Sequence, residues 1–258
     1  MVYMKVININ VNGIRSAVKK NFLNWAKTQK ADIICLQEVR APTSLLKNPL
    51  FHLDGYNIYS FEAQKSGYSG VTIYSKNEPK NIIYGLGWPI ADNEGRYLQL
   101  DFKHFKVANI YIPSGTSGDL RQSIKYDFLK NYQKILAKQI SDPLPYIICG
   151  DFNIAHHNID IKNWRSNQKS SGFLPEERAW LDLIFDKIGF VDAYRFKNPD
   201  KVEYTWWSNF RNAWNNNVGW RIDYQIISPQ LKNKIISTEI YRQEKFSDHA
   251  PLIIEYGI

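Results

Sequence analysis

Short apolar runs rich in β-branched residues alternate along the chain with stretches of helical period. Residues 4–10 and 33–38 are such runs, and between them residues 16–28 carry Val18, Phe22, Leu23 and Trp25 at roughly helical spacing, which predicts a strand, helix, strand opening. Runs at 56–61, 70–75, 82–85, 97–102 and 106–111, separated by Gly, Asn and Pro, predict mostly antiparallel sheet in the middle of the chain. Residues 120–139 place Ile124, Phe128, Tyr132, Ile135 and Leu136 in one apolar stripe that ends before the breaker pair Asp142 and Pro143, a second helix. After it come a strand at 146–151, a helix at 175–188 that starts on a proline, and strands at 222–228, 235–240 and 252–254. Polar, irregular stretches at 163–172 and 206–220 read as loops. Two sheets with outer helices, an α/β sandwich, fit this order. No linker, low-complexity tract or repeat interrupts it, so residues 1–258 are expected to form a single domain.

Hydrophobic residues make up 44% and charged residues 22% of the chain, ordinary values for a soluble globular protein, so neither disorder nor a membrane-embedded chain is expected. Cys35 and Cys149 each lie inside an apolar strand-like run, which predicts reduced, buried thiols and not a disulfide-stapled secreted domain. The chain enters a strand pattern almost at once, without an apolar signal core, and no apolar stretch approaches the ~20 residues of a membrane span. An intracellular, cytoplasmic location follows, nucleoid-associated if the source is bacterial, with no membrane partner. The formal charge of +8 suits a polyanionic partner, because Lys and Arg release counterions from phosphates. A general lysine bias would give the same excess, so charge alone decides nothing.

Several acids and amides sit at strand ends. Asn10 and Asn12 end or follow the first strand, Glu38 closes the second, Asp151 and Asn153 follow the run at 146–149, and Asp248 with His249 precedes the last. Taken singly, each is an ordinary turn residue whose side chain bonds nearby backbone. Four such groups on strands that converge in a sheet place their side chains on one rim, where loops build sites. An oxygen-rich cluster of this kind suits magnesium, a hard cation that prefers carboxylates, amide carbonyls and water. Asp223, in the run 219–224, supplies a further carboxylate. Paired with His249 it would fix the imidazole tautomer and favour its charged form, which stabilises a phosphorane-like transition state.

The runs Asn10-Val11-Asn12-Gly13-Ile14-Arg15, Leu36-Gln37-Glu38, Gly67-Tyr68-Ser69-Gly70-Val71, Glu94-Gly95-Arg96, Tyr111-Ile112-Pro113, Gly150-Asp151-Phe152-Asn153, Gly219-Trp220-Arg221-Ile222-Asp223-Tyr224 and Ser247-Asp248-His249 occur in this order from first strand to last. As a set they resemble the exonuclease III family of abasic-site endonucleases, within the larger endonuclease/exonuclease/phosphatase fold. The resemblance implies a four-layer α/β sandwich of two packed, mainly antiparallel mixed sheets flanked by helices, with the catalytic groups between the sheets at one rim. It implies a magnesium-dependent DNA repair nuclease that cuts 5′ to abasic sites and trims 3′ ends, with manganese as a substitute metal. The partner would be duplex DNA carrying abasic sites or damaged 3′ ends, met by a monomer.

Residue roles follow from the same resemblance. Glu38 would be the principal metal ligand with Asn10, Asn12 and Asp248 nearby, and a second ion, if two are bound, would lie near Asp151, Asn153 and His249. Asp151 would prepare the attacking water and Asn153 orient it, while His249, held by Asp223, would stabilise charge on the phosphate and Tyr111 contact the phosphate or assist the leaving oxygen. In the stretch 206–220, Trp206 and Trp220 with Ile222 would form the pocket for a baseless deoxyribose, and Arg211 supplies a cation there; Trp207 is expected in the core. Asn167 and Lys169 would contact phosphates from a second loop, and Tyr68 and Arg96 from a third, although a solvated basic face gives the same pattern. Asn12 stands where some relatives have aspartate, Arg40 where some have lysine, and Ser170 where an amide is common, so weaker metal binding on the Asn12 side is expected. Two rivals remain open: a lipid or inositol phosphodiesterase or unselective nuclease of the same fold, and a non-catalytic DNA-binding module.

Overall fold

The computed structural model describes residues 3–258. Its first half runs β1 (Tyr3–Asn10), α1 (Ile14–Lys19), α2 (Phe22–Gln29), β2 (Ile33–Gln37), α3 (Thr43–Leu46), β3 (Asn57–Phe61), β4 (Val71–Ser75), β5 (Asn81–Tyr84), α4 (Pro89–Asn93), β6 (Tyr97–Asp101) and β7 (Lys106–Tyr111). Its second half runs α5 (Asp119–Gln139), β8 (Tyr146–Asp151), α6 (Pro175–Asp182), β9 (Val191–Asp192), α7 (Ala193–Lys197), β10 (Trp206–Trp207), β11 (Gly219–Trp220), β12 (Asp223–Ile227), β13 (Ile235–Ile240) and β14 (Leu252–Gly257). One six-stranded sheet has the order β13-β14-β1-β2-β4-β3 and the other β5-β6-β7-β8-β12-β9. Among the described residues only β1 with β2 and β7 with β8 pair in parallel; the other pairings in these two sheets are antiparallel.

Side-chain alternation explains the layering. In β1, Val6 enters the core between the sheets while Ile7 and Ile9 face α1 and α2, where Phe22 and Trp25 cover them. In β8, Ile147 and Cys149 point between the sheets while Ile148 faces Phe128, Tyr132 and Trp180 of α5 and α6. The result is helix, sheet, sheet, helix, the four-layer α/β sandwich expected. Both cysteines are free and buried in the inner core, and Trp207 is fully buried, as the sequence predicts.

Two sequence expectations change. The single helix at 16–28 is two helices, because Asn21 takes a left-handed conformation (φ 69°) between α1 and α2, a geometry asparagine tolerates without breaking the apolar stripe. The helix at 175–188 is α-helical only to Asp182 and widens into a π turn at Leu183–Ile188.

Beneath the start of β12 lies a buried ionic knot. The Arg221 guanidinium has no exposure, donates Nε to Asp160 Oδ1 at 2.7 Å, places Nη1 2.8 Å from Asp192 and packs 4.6 Å from the Tyr224 ring centre. Arg195 also grips Asp160. Burial alone would raise the Asp160 carboxyl, but Arg221 and Arg195 hold it well below the usual carboxylate range. A depressed folded value means that this stabilisation is complete above the unfolded value near 4 and drains away as pH falls below it. Asp160→Asn should therefore cost about 3 kcal/mol in urea unfolding at pH 7, because it strips Arg221 of a buried partner, and the deficit should shrink in acid. An equal deficit at pH 3 and pH 7 would contradict this.

Candidate active site

Inner-face positions change chemistry along each central strand. They read Val6, Asn8, Asn10 in β1; Cys35, Gln37 in β2; Val107, Asn109, Tyr111 in β7; Ile147, Cys149, Asp151 in β8; and Ile227, Gln225, Asp223 in β12. Apolar residues thus give way to a layer of amides and then to acids at the rim. The amide layer ties the sheets together: Gln37 Nε2 donates to Asn8 Oδ1 at 2.7 Å and to Asn109 Oδ1 at 2.6 Å, and Asn8 Nδ2 reaches the Gly150 carbonyl at 3.2 Å. Low surrounding polarity strengthens such bonds and fixes the register of the rim above them. Gly150 is required here, since an ideal Cβ would lie 2.4 Å from the Ile110 carbonyl oxygen, and that close approach sets Asp151 beside β7.

At the rim the chain leaves its strands in unusual conformations. Glu38 (φ 49°), Asn153 (φ 52°) and Asn12 (φ 44°) are left-handed, a geometry that costs non-glycine residues about 1–3 kcal/mol and gathers at functional sites. These turns aim their side chains inward. Asn10 Nδ2 donates to Glu38 Oε1 at 2.8 Å and to Asp151 Oδ2 at 2.9 Å, and Asn12 Nδ2 donates to Asp248 Oδ1 at 2.9 Å. Glu38 is also gripped by Arg40, and Asp248 Oδ2 accepts from Trp206 Nε1 at 3.1 Å. Asn153 caps the Asp151 turn with its backbone N–H and donates its amide to the Ile112 carbonyl at 3.0 Å.

His249 joins the two halves. Its Nδ1 meets Asp223 Oδ2 at 2.8 Å and its Nε2 lies 3.9 Å from Asp151 Oδ2. Burial would lower the imidazole, but Asp223, Asp151 and Asp248 raise it to about 10, so it is a cation at neutral pH. Asp151 faces Asp223 directly across β8 and β12, and burial together with that like charge lifts its carboxyl to about 7 despite His249 and Asn10. The Tyr111 phenol is driven well above 10 by burial and by Glu38, with Arg96 opposing, and so keeps its proton.

A cleft of about 800 Å³ opens over these groups. Glu38, Tyr111, Asp151, Asn153, Asp248 and His249 line it together with Trp206, Trp220 and Ile222, and Lys169 and Ser170 reach it as well. Trp206 and Trp220 meet edge to face at 6.0 Å, backed by Ile161 and Phe173, and form an apolar corner. The stretch 206–220, read as a loop, is in fact pinned by pairing of β10 with β11, which sets these rings opposite each other.

Every predicted catalytic and metal-side residue therefore converges on one rim. The outer DNA contacts do not all reach it. Arg96 is 1% exposed, with Nε on Glu94, Nη1 on the Tyr111 carbonyl and Nη2 on the Tyr68 hydroxyl, so it holds Tyr68 and Tyr111 in place and, buried off the cleft wall, does not present its guanidinium to a phosphate there. Arg211 is exposed and off the cleft wall, and Asn167 spends its amide on the Asn163 carbonyl. Sequence reasoning passed over Thr205, whose hydroxyl accepts from the backbone of Ile222 and Asp223, and Arg121, which shares Tyr68 and Glu94 with Arg96. Isolated residues of this kind leave no periodic signal.

The donor set fits a hard divalent cation. Asp223 Oδ1 is buried without a hydrogen-bond partner among the described residues, and carboxylate oxygens of Asp151 and Asp223 lie within 4.8 Å of each other beside the His249 cation. Glu38, Asn10 and Asp248 supply more oxygens alongside. Asp223 thus joins the ligand candidates, beyond its expected part as the partner of His249.

A profile described as the endonuclease/exonuclease/phosphatase family matches residues 7–249. The chain belongs to the endonuclease/exonuclease/phosphatase family. Within that family it is 37% identical to an exodeoxyribonuclease of Bacillus subtilis over 96% of this chain and 98% of the relative. It is 35% identical to the DNA repair nuclease APEX1 of Danio rerio over 97% of this chain and 81% of the relative. The structure of an AP endonuclease from Archaeoglobus fulgidus, a protein 26% identical, superposes with a TM-score of 0.89 over 99% of this chain and 100% of the other. Among the described residues no helix is long and apolar enough to cross a membrane.

Proposed function

We propose that this protein is an exonuclease III-type DNA repair nuclease, dependent on magnesium or manganese, that hydrolyses the phosphodiester 5′ to an abasic site and trims 3′ ends of duplex DNA. The reading takes the chain as one domain acting as a monomer on DNA. One observation carries it: Asp151 and His249, the latter bonded to the buried Asp223, line a cleft that Trp206, Trp220 and Ile222 also line with their apolar corner. A phosphodiester over the acids would set the adjoining sugar against that corner, which suits a deoxyribose without its base. The names of the relatives, an exodeoxyribonuclease, a DNA repair nuclease and an AP endonuclease, support the same substrate class.

Glu38, Asn10 and Asp248, with Asp151 beside them, would hold the ion or ions. Bound there, such an ion would supply Lewis-acid polarisation of the phosphoryl oxygen and would offset charge on the leaving oxygen. The ionised Asp151 carboxylate accepts a proton from water, and Asn153, anchored to Ile112, orients that water. The His249 cation, fixed by Asp223, donates to the phosphoryl oxygen as negative charge builds on it. Tyr111, still protonated, donates toward the phosphate or the departing 3′ oxygen. Products are a 3′ hydroxyl and a 5′ phosphate, and no covalent enzyme intermediate is needed.

The discriminating assay incubates the protein with a duplex bearing one abasic analogue, an intact recessed duplex, and phosphatidylinositol vesicles, each with magnesium and with EDTA. Magnesium-dependent incision at the abasic site is expected. Uncut DNA alongside hydrolysed lipid would overturn the reading. Trp220→Ala should cut the preference for abasic over intact DNA roughly tenfold, since one aromatic contact is worth about 1–3 kcal/mol, with little change in trimming of a normal 3′ end. Measured as a ratio of kcat/KM values, an unchanged preference would remove Trp220 from the pocket.

A further inference from the structure

Behind Asn153 lies an ion pair that the mechanism above does not use. Lys125 of α5 and Glu177 of α6 are both fully buried, with Nζ 2.5 Å from Glu177 Oε1. Lys125 Nζ also donates to the Asn153 backbone carbonyl at 2.8 Å. Glu177 Oε2 accepts the N–H of Gly172 at 2.6 Å and of Leu174 at 3.0 Å, and Oε1 accepts Gln122 Nε2 at 3.1 Å. Three segments meet here: the Asp151 turn, the end of the 163–172 loop that carries Lys169, and α5, whose Gln122 lines the cleft.

The packing leaves little slack. A Cβ on Gly172 (φ 93°) would lie 3.0 Å from the Asn153 carbonyl oxygen and 3.1 Å from the Trp220 ring, so the loop backbone touches both the water-orienting turn and the sugar-pocket wall. Asn153 is itself left-handed, and Ile112, Asp151 and Lys125 bond it there. A buried pair is a poor source of stability, because desolvation cancels most of the attraction, but it fixes geometry firmly when all its bonds are made. We propose that the Lys125 and Glu177 pair is a positioning device for hydrolysis: it locks the Asn153 turn against the loop at 163–172, so that the attacking water is aligned when that loop meets DNA. This role rests on the nuclease reading above and adds to it two residues remote from the reacting atoms.

The test compares the full-length wild type with Lys125→Met/Glu177→Gln and with Lys125→Arg. The double variant removes both charges together and keeps an amide oxygen for Gly172 and Leu174, so it avoids an orphaned buried charge. Thermal melting, abasic-duplex affinity in EDTA and single-turnover incision in magnesium are measured for each. Melting and affinity near wild type are expected for the double variant, with incision about 10²-fold slower, the scale of a misplacement near 1 Å, while Lys125→Arg recovers most of the rate. A folded double variant that cuts at the wild-type rate, or one whose only loss is DNA affinity, overturns the role while leaving the functional reading intact. Wild-type protein that leaves abasic DNA whole overturns both.

Discussion

Asp151→Asn is expected to slow single-turnover incision of an abasic duplex by about 10³-fold while leaving affinity for that duplex close to wild type. The carboxylate is 1% exposed, receives Asn10 Nδ2 and the Asn153 N–H, and stands 3.9 Å from the His249 cation. Asparagine keeps the volume and one acceptor but cannot take a proton from water. Burial and Asp223 lift Asp151 to about 7 without metal and a bound cation would lower it, so the wild-type rate should climb with pH along a limb at or below that region, and the variant's residual rate should lack this limb. Stability moves the other way. A folded value above the unfolded one near 4 means that ionising Asp151 opposes folding, an effect absent below pH 4 and complete above pH 7. In EDTA at pH 8 the variant should therefore melt at or above the wild-type temperature. A variant that retains turnover would show that another group is the base.

His249→Asn should cost about 10²–10³-fold in the same assay, the usual loss when one preorganised donor to a developing oxyanion is removed. Asp223→Asn should lose less, because the imidazole remains but its charge is no longer held: Asp223 is the leading attraction that keeps His249 near 10 at a buried site. The two act as one unit through the 2.8 Å contact, so the double variant should be no slower than His249→Asn alone. Multiplying losses in the double variant would mean that Asp223 acts by a separate route, as an independent ligand through its unpartnered Oδ1.

The rim was legible in the sequence because its residues interrupt or end apolar runs of period two. Asn10, Glu38, Asp151 and Asp223 lie at the ends of strands whose cores read plainly as Ile, Val, Leu and Cys. The fold followed from the same alternation, together with the resemblance carried by eight short motifs. What escaped is what side-chain type does not encode. Asn8, Gln37 and Asn109 look like breaks in hydrophobic strands, yet they form the amide layer that joins the two sheets. Arg96 reads as a surface cation and is buried, because three acceptors from separate segments surround it. Lys125 interrupts the surface of an amphipathic helix with an ordinary lysine, and only the tertiary meeting with Glu177, 52 residues away, gives it a buried partner. The resemblance assigns Trp206 and Trp220 to one pocket, while their pairing across β10 and β11 depends on a two-residue ladder too short to leave a pattern in the sequence.

The central claim is that water attacks phosphorus over the Asp151 and His249 centre and expels the 3′ oxygen. Incision of an abasic duplex in ¹⁸O-enriched water, followed by mass spectrometry of both fragments, tests it directly. Attack by water predicts one heavy oxygen on the 5′ phosphate of the abasic fragment and an unlabelled 3′ hydroxyl on the other. An unlabelled phosphate beside a 3′ unsaturated aldehyde, the signature of elimination at the abasic sugar, would contradict it.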